Sequence, residues 1–435
     1  MEESREKGKT IQETVGSGLC TGCGTCAGVC PQSAIEMVIA DERGTYVPKI
    51  HWNKCNRCGI CFSVCPGYSV DFRQLNTEIF GKEPEDILIG NYLNCYVGHS
   101  TDYEIRYNSS SGGLITQLLI YALENGIIDG ALVTRMSTKT PLRPEPFIAK
   151  TREEIICASK SKYCPVPANV ILKEILNNCG RFAVVGLPCH IHGVRKAMSI
   201  NKKLRERIGL TFGLMCSYNR NFLATEYVLQ RLGIKKEDVT KLDYRGEGYL
   251  GSMQVILKDG TKKSIPFVEY YNRWLRSFFF LPRCTLCIDH TCELADISFG
   301  DNWLPEFQDE SIGSSIIISR TKPAEDLLAT ASSIGSVELS NVDYSKVVQS
   351  KRGALLRKKN YIVSRMALLK FLGKKTPTYG KLSSEGGPLA YLDAIATYSE
   401  IYISTKKHLW PLLSKFAFSL ELASTLLEKA CIRRE

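Results

Sequence analysis

The sequence predicts an α/β protein: a mixed, parallel-rich sheet over residues 90–360, a cysteine-rich module before it in residues 1–75, and a helical extension after it in residues 361–435. Three observations predict this. Two cysteine runs of the same spacing stand near the N-terminus, CTGCGTCAGVCP at 20–31 and CNRCGICFSVCPG at 55–67. From about residue 90, strand-like apolar runs alternate with stretches of helical spacing, as βαβ units require. Helical spacing then takes over, in a basic stretch at 344–372 and again at 405–431.

Each cysteine run reads C-x-x-C-x-x-C-x-x-x-C-P, a spacing that lets three thiolates from a tight loop and one from the following helical turn reach iron. Two copies predict two [4Fe-4S] clusters of the bacterial ferredoxin type. In that type the fourth cysteine of each run crosses over, which assigns Cys20, Cys23, Cys26 and Cys65 to one cluster and Cys55, Cys58, Cys61 and Cys30 to the other. Gly22, Gly24 and Gly59 permit backbone conformations that aim amides at sulfur, and Pro31 and Pro66 end the runs. Zinc favours one C-x2-C pair answered by another at a distance, and disulfides suit a short secreted chain, so neither fits. Between the runs, SAIEMVIADERGTYVPKI reads as short strands with a turn at Glu42 to Gly44. The module ends near Asp71, and residues 1–19 read as a loose polar lead-in.

The 435 residues hold 18 cysteines, with no signal-peptide pattern and no apolar run of membrane-spanning length. This composition predicts a cytoplasmic protein whose thiols serve metals. The formal net charge of +11 first suggests nucleic acid. Each [4Fe-4S] cluster with its thiolates contributes about −2, so three would bring the balance to about +5. No recognition motif accompanies the charge, and nucleic acid is excluded as a partner.

Within the α/β region, LITQLLIYALENG reads as a helix closed by Gly126, IIDGALVTRM as a strand, and Thr151 with Glu154 as a capping box. PVPANVILKEILNNCG is helical, with proline at its start and Gly180 at its end. RFAVVGLPC, HIHGVRKAMSINKKLRERI and GLTFGLMC form a strand, helix, strand unit, while SMQVILKDGTKKSIPF is a hairpin turned at Asp259-Gly260. An aromatic helix, EYYNRWLRSFFF, leads to a third cysteine group, and Gly313 to Asp343 reads strand, helix, strand.

That third group is RCTLCIDHTCELADISFGD, with Cys284 and Cys287 as a C-x2-C corner and Cys292 nearby. Cys189 and Cys216 each follow a buried strand, and strand ends converge at the carboxyl edge of a parallel sheet, where α/β proteins place cofactors. Spacing alone leaves two readings open: a third cluster, or two ordinary buried thiols with the C-x2-C left to zinc. Arg106 and the turn Ser109, Ser110, Ser111, Gly112 and Gly113 stand at a helix start, a place that suits a cofactor phosphate. No G-x-G-x-x-G follows a strand and no phosphate-binding lysine loop is present. His190 and His192 adjoin Cys189, where they either donate to a cofactor or cap a loop; Cys95, Cys157, Cys164, Cys179 and Cys431 read as inert.

SSSGGLITQLLIYALENGIIDGALV, then SKYCPVPANVILKEIL with RFAVVGLPCHIHGVRKA, then RCTLCIDHTCELADISFGDNW resemble, in that order, the motifs of the coenzyme F-420 hydrogenase/dehydrogenase beta-subunit family. The resemblance covers about residues 90–360, behind a fused ferredoxin module. It implies a flavin, usually FAD, beside a [4Fe-4S] cluster, and hydride exchange with the deazaflavin coenzyme F-420. It also implies Cys189, Cys284 and Cys287 as cluster ligands with Cys216 as the fourth, Cys292 being the alternative. Ser110, Ser111, Gly112, Gly113, Ser161, Lys162 and Tyr163 become flavin-side residues, with Asp296, Gly300 and Asp301 as the turn closing over the ring; Arg106, before the glycine turn, and His190, beside Cys189, join them as cofactor-binding candidates by position.

The resulting expectation is an iron-sulfur flavoprotein oxidoreductase serving a redox protein or the other subunits of a complex. Its rivals are a ferredoxin-dependent reductase of an organic substrate, like 7-hydroxymethyl chlorophyll a reductase, and a non-catalytic electron-wiring subunit. Leu413, Phe416, Leu420, Ala423 and Leu427 form an apolar stripe on a helix starting near Pro411, expected to pack on its own core or to dock a partner or a second copy of the chain.

Overall fold

The computed structural model describes residues 8–84, 86–380 and 387–413. In chain order the strands are β1 (Ile35–Ala40), β2 (Thr45–Ile50), β3 (Asn94–Ser100), β4 (Gly130–Met136), β5 (Pro144–Ala149), β6 (Phe182–Gly186), β7 (Ile208–Leu214), β8 (Val239–Asp243), β9 (Ser252–Leu257), β10 (Lys262–Pro266), β11 (Ile297–Asp301), β12 (Ser315–Ser319) and β13 (Val337–Val342). Eight of them form one sheet in the order β13-β3-β12-β11-β7-β6-β4-β5. Its centre, β4, β6, β7 and β11, is parallel, and β5, β12, β3 and β13 join antiparallel on the two sides. The sheet is thus mixed around a parallel middle.

The central strands are apolar on both faces because both are covered. Ala183, Leu210, Phe212, Ile297 and Phe299 pack under the helices Leu114–Glu124 and Lys322–Ser333. Phe182, Val184 and Ile208 pack under Leu172–Asn177 and Pro188–Ile200 on the other side. The β9–β10 hairpin turns at Asp259-Gly260, with Gly260 at φ +83°, and pairs through β9 with β8 in a separate three-stranded sheet.

The cysteine module is built as its spacing requires. Short helical turns, Thr25–Gly28 and Ile60–Ser63, follow left-handed Gly24 and Gly59, and β1 pairs antiparallel with β2 across the turn closed by Gly44 N to Ala40 O at 2.8 Å. The lead-in is more ordered than its polarity suggests. Thr10 and Glu13 form a full capping box on the helix Ile11–Gly16, and Ile11 is buried among Cys26, Cys61 and Cys65. Thr151 caps its helix by accepting from Glu154 N, but the Glu154 carboxylate turns to Lys150 N, so half of that expected box forms.

The module is seated on the large sheet's helices. Asn169 N donates to Cys23 O at 2.9 Å, Asn169 Nδ2 donates to Thr25 Oγ1 at 2.8 Å, and Phe222 N donates to Gly44 O at 2.7 Å. Val64, Val70, Phe72 and Leu75 join the apolar layer that covers β6. C-terminal residues close over the third cysteine group: Arg365 reaches Tyr218 Oη at 2.8 Å and Asp393 at 2.6 Å, and Tyr398 and Thr285 hydroxyls meet at 2.9 Å. Trp410 and Leu413 are buried with Tyr227 and Phe279, so the start of the expected terminal stripe belongs to the core. Phe416, Leu420, Ala423 and Leu427 lie outside the described residues.

The seat leaves no room for a side chain at Gly28, where a Cβ would stand 2.0 Å from the Asn169 carbonyl oxygen. Gly28→Ala is therefore expected to cost roughly 1–3 kcal/mol by overpacking. Gly353→Ala, on a helix with open space around it, is expected to gain up to about 1 kcal/mol. Anaerobic denaturant titration reads both, and an unmoved midpoint for Gly28→Ala would contradict the seating described.

Candidate functional site

The eight N-terminal cysteines gather in two sets. Burial pushes the Cys20 thiol up to about 12, with Cys65 and Cys23 beside it pushing the same way; burial likewise raises Cys26, next to Cys23, Cys20 and Cys65. Burial pushes Cys61 up to about 11, and its thiol neighbours are Cys58, Cys30 and Cys55. Cys30, Cys55, Cys58 and Cys61 line one cavity. The loop glycines work as read from sequence: Gly22 at φ +70° donates its amide to Cys20 Sγ at 3.4 Å.

A third set forms where the parallel strands end. Cys189 opens the helix after β6 and Cys216 follows β7, while Cys284 and Cys287 come from the turn Pro282–Leu286 and the residue after it. Burial raises the Cys189 thiol, and Cys23, Cys284, Cys216 and Cys287 add to it. Burial pushes Cys216 up to about 12 against the Lys358 ammonium, with Cys284 and Cys287 close by. Cys292 packs on β7 at Gly213, where an added Cβ would lie 2.6 Å from its Cβ and Sγ; it is wholly buried with Leu294 and Ala295, and Cys216 is its thiol neighbour.

Buried cations surround these thiols. Lys358 is 2 % exposed and its Nζ donates to Asp289 O at 3.1 Å; burial opposes its charge, but Cys287, Cys216, Tyr218 and Cys284 outweigh that and raise its pKa. Arg283 Nε donates to Gly67 O at 2.8 Å and Lys196 Nζ to Cys65 O at 2.9 Å, linking the third set to the module. Four thiolates around an iron-sulfur core carry about −2, and this donor set fits such a group. Among the described residues no three His, Cys, Asp or Glu side chains gather for a single metal ion; a cubane spreads its ligands over a wider cage than one ion does.

Beyond the third set, loops from four parts of the chain meet. Ser161 N donates to Ser110 Oγ at 2.8 Å, Ser111 Oγ to Ser314 O at 2.6 Å, and Gly112 N to Ser315 Oγ at 3.0 Å. These serine and glycine groups of the predicted anion turn thus join loops to one another, while Gly113 caps the helix behind them at φ +74°. Arg106 is taken up by an ion pair with Glu310 and by Gly313 O at 2.8 Å. Lys162 Nζ donates to the carbonyls of Ala158, Ser159 and Lys160, and burial brings its pKa down to about 7. Tyr163 packs on Tyr271 with ring centroids 4.6 Å apart.

The cation that sequence reading missed is Arg245. It is 1 % exposed, its Nη1 donates to Asp301 Oδ2 at 2.6 Å and Tyr163 Oη at 3.2 Å, and its buried Nη2 has no hydrogen-bond partner among the described residues. Lys351 Nζ donates to Asp301 O from the other side. Nothing local in the sequence marks Arg245, because its place depends on a loop returning from the second sheet.

Several predicted residues do other work. His190 accepts from Leu187 N through Nδ1 at 3.2 Å, so its Nε2–H donates to Val166 O at 2.9 Å, and burial keeps it neutral with a pKa of about 4. Asp296 accepts from Thr211 N and Oγ1, both at 2.8 Å, and pairs with Arg195 at 2.9 Å, pinning β7 to β11. Gly300 faces the Met215 side chain. His192 pairs with Asp289 at 2.8 Å. Cys95 and Cys164 are buried, Cys157 and Cys179 are exposed, and Cys431 lies outside the described residues.

These placements make the fourth ligand testable. The fully reconstituted chain is expected to carry about twelve iron atoms in three cubanes. Cys284→Ser and Cys216→Ser are expected to lower this to about eight, and Cys292→Ser to leave it unchanged. Loss of iron from Cys292→Ser with none from Cys216→Ser would reverse the assignment.

Three family models match. Residues 95–173 match the N-terminal part of the beta chain of coenzyme F420 hydrogenase/dehydrogenase, residues 179–345 match the C-terminal part of the same beta chain, and residues 19–68 match the 4Fe-4S dicluster domain. The coenzyme F420 hydrogenase subunit beta of Methanosarcina barkeri is 31 % identical over 60 % of this chain and 86 % of its own length. The coenzyme F420-dependent sulfite reductase of Methanocaldococcus jannaschii is 28 % identical over 79 % of this chain and 50 % of its own. A solved chain of the F420-reducing [NiFe] hydrogenase complex from Methanosarcina barkeri superimposes with a TM-score of 0.51 at 26 % identity, over 65 % of this chain and 96 % of that one. With the fold, the doubled cysteine module and both halves of the α/β region accounted for, this chain belongs to the coenzyme F420 hydrogenase/dehydrogenase beta-subunit family, carrying an N-terminal 4Fe-4S dicluster domain.

Proposed function

We propose that this chain is an oxidoreductase subunit that takes hydride from the reduced deazaflavin coenzyme and delivers single electrons to a redox protein or to other subunits of a complex. The observation that carries the reading is the contiguity of its sites. Arg245, Tyr163 and Asp301 adjoin Lys351; Cys189 and Cys216 belong to the third thiol set; Cys23 is the foremost thiol neighbour of Cys189 outside that set; and Cys61 neighbours Cys26. In the last set Cys30, Cys55 and Cys58 are partly exposed, and Asn56 and Arg57 between them are exposed. A flavin, FAD by family, held beside Asp301 would supply the change from two-electron hydride to one-electron transfer, which cubanes cannot make for themselves.

The chain's own groups supply position and charge. Arg245 keeps one buried nitrogen for an anionic or carbonyl acceptor while its other contacts fix the guanidinium plane. Tyr163 and Tyr249 set aromatic surface around it. The Ser110–Ser161 joint and the Lys162 tether hold the facing loop, so that a planar ring meets a preformed wall. The sulfite chemistry named for the longer relative is that protein's.

Anaerobic stopped-flow mixing with the reduced deazaflavin coenzyme tests the reading: flavin absorbance is expected to bleach before or together with cluster absorbance, and flavin-depleted protein is expected to lose cluster reduction. Cluster reduction at an undiminished rate without flavin would sink it. Arg245→Lys, which keeps the charge but loses the second nitrogen, is expected to weaken binding of flavin or coenzyme by roughly 10- to 100-fold, about 1.5–3 kcal/mol for a hydrogen bond to a charged group. Equilibrium dialysis and KM measure it.

A further inference from the structure

Among the described residues, His290 is a buried polar group that the proposed function does not use. It is 4 % exposed, and neither Nδ1 nor Nε2 makes a hydrogen bond of good geometry among the described residues, although the Cys216 backbone lies close to the ring. A buried imidazole with both nitrogens unmatched is costly, so such a ring calls for a ligand. Its surroundings say which. His290 lies in the loop that carries Cys287, and its own carbonyl accepts from Cys216 N at 2.9 Å, so its backbone is tied to two members of the third thiol set.

Charges on both sides confirm the position. The charged neighbours of the ring are Lys351, Lys358 and Asp289. Lys351 is bound to Asp301 O, on the side of Arg245, and Lys358 sits against Cys287, Cys216 and Cys284. Either tautomer of the imidazole carries an N–H to give. The other histidines near these thiols are committed: His190 to Leu187 and Val166, His192 to Asp289.

We propose that His290 is a positioning and tuning residue that donates its N–H to a sulfur of the third [4Fe-4S] cluster, on the side facing Asp301. The proposal rests on the reading of Cys189, Cys216, Cys284 and Cys287 as that cluster's ligands. A donor at a cluster sulfur stabilises the reduced, more negative state and so raises the reduction potential. This would make the third cluster a better electron acceptor toward the hydride site than its cysteines alone.

The test uses the full chain reconstituted anaerobically with iron, sulfide and flavin. His290→Leu is expected to keep its iron, to lower the third cluster's reduction constant roughly tenfold, which for a one-electron couple is about 59 mV, and to leave the two module clusters in place in an EPR redox titration. His290→Gln, which retains an amide donor, is expected to shift less. In chain labelled with 15N-histidine, pulsed EPR of the reduced third cluster is expected to show a weakly coupled nitrogen that His290→Gln removes. Should His290→Leu fail to assemble the cluster, that nitrogen signal decides: its presence supports the proposal and its absence overturns it. A shift confined to the flavin, with the cluster potential unmoved, overturns it as well. A third cluster present at an unmoved potential overturns this proposal alone, whereas an unsubstituted chain that forms no third cluster overturns the ligand reading beneath it too.

Discussion

Gathering twelve thiols inside one chain is the constraint on which the rest of the structure depends. Burial raises the thiol pKa of Cys20, Cys23, Cys26, Cys61, Cys189, Cys216 and Cys284, and neighbouring thiols raise most of them further. Such groups become thiolates only where metal charge repays the loss of water, so metal binding, proton release and final packing are one event. The buried Lys358 and Arg283 and the half-buried Lys196 are intelligible in the same terms. Each lies beside cysteines of these sets, and each is tied by hydrogen bonds to the loops that carry them.

Sheet topology then decides where these charges sit. In a parallel centre the carboxyl ends of β6, β7 and β11 come out side by side, so residues far apart in sequence reach one edge: Cys189, Cys216 and the pair Gly300 and Asp301. Met215 N donating to Phe299 O at 2.8 Å continues the β7–β11 pairing to that edge. Asp296 serves the same end from behind, locking β7 to β11 through Thr211 and Arg195.

Much of this was legible in the sequence because its signals are local. The doubled cysteine spacing, the alternation of strand and helix, the Asp259-Gly260 turn and the strand-end cysteines each depend on a few adjacent residues. What was not legible depends on distant partners. The capping box that orders the lead-in was written in Thr10 and Glu13 but hidden in a polar stretch. Arg245 is one of many arginines until β8 brings it to Asp301, and Asp296 looked like a turn residue because Arg195 lies about a hundred positions earlier. Arg106, chosen for its place before a glycine turn, is claimed by Glu310, which no local pattern announces.

The contact between module and sheet is the point where packing and electron transfer make the same demand. One-electron transfer falls off steeply with distance, so a module swinging on a linker would serve poorly. Here the turn Thr25–Gly28 lies flat on Asn169 and on the helix Pro188–Ile200, and glycine is what allows it: an added Cβ at Gly28 or Gly193 would come within 2.0 or 2.1 Å of Asn169 O and Thr25 Oγ1. Cys26 lies on that turn and Cys189 opens that helix, so the surfaces that fit most closely carry the thiols of adjoining sets. The seat also explains the polar groups buried in it. Asn169 satisfies Thr25 Oγ1, the Cys23 carbonyl and the His190 carbonyl at once, so the interface tolerates backbone groups without water and holds one registration of the module rather than several.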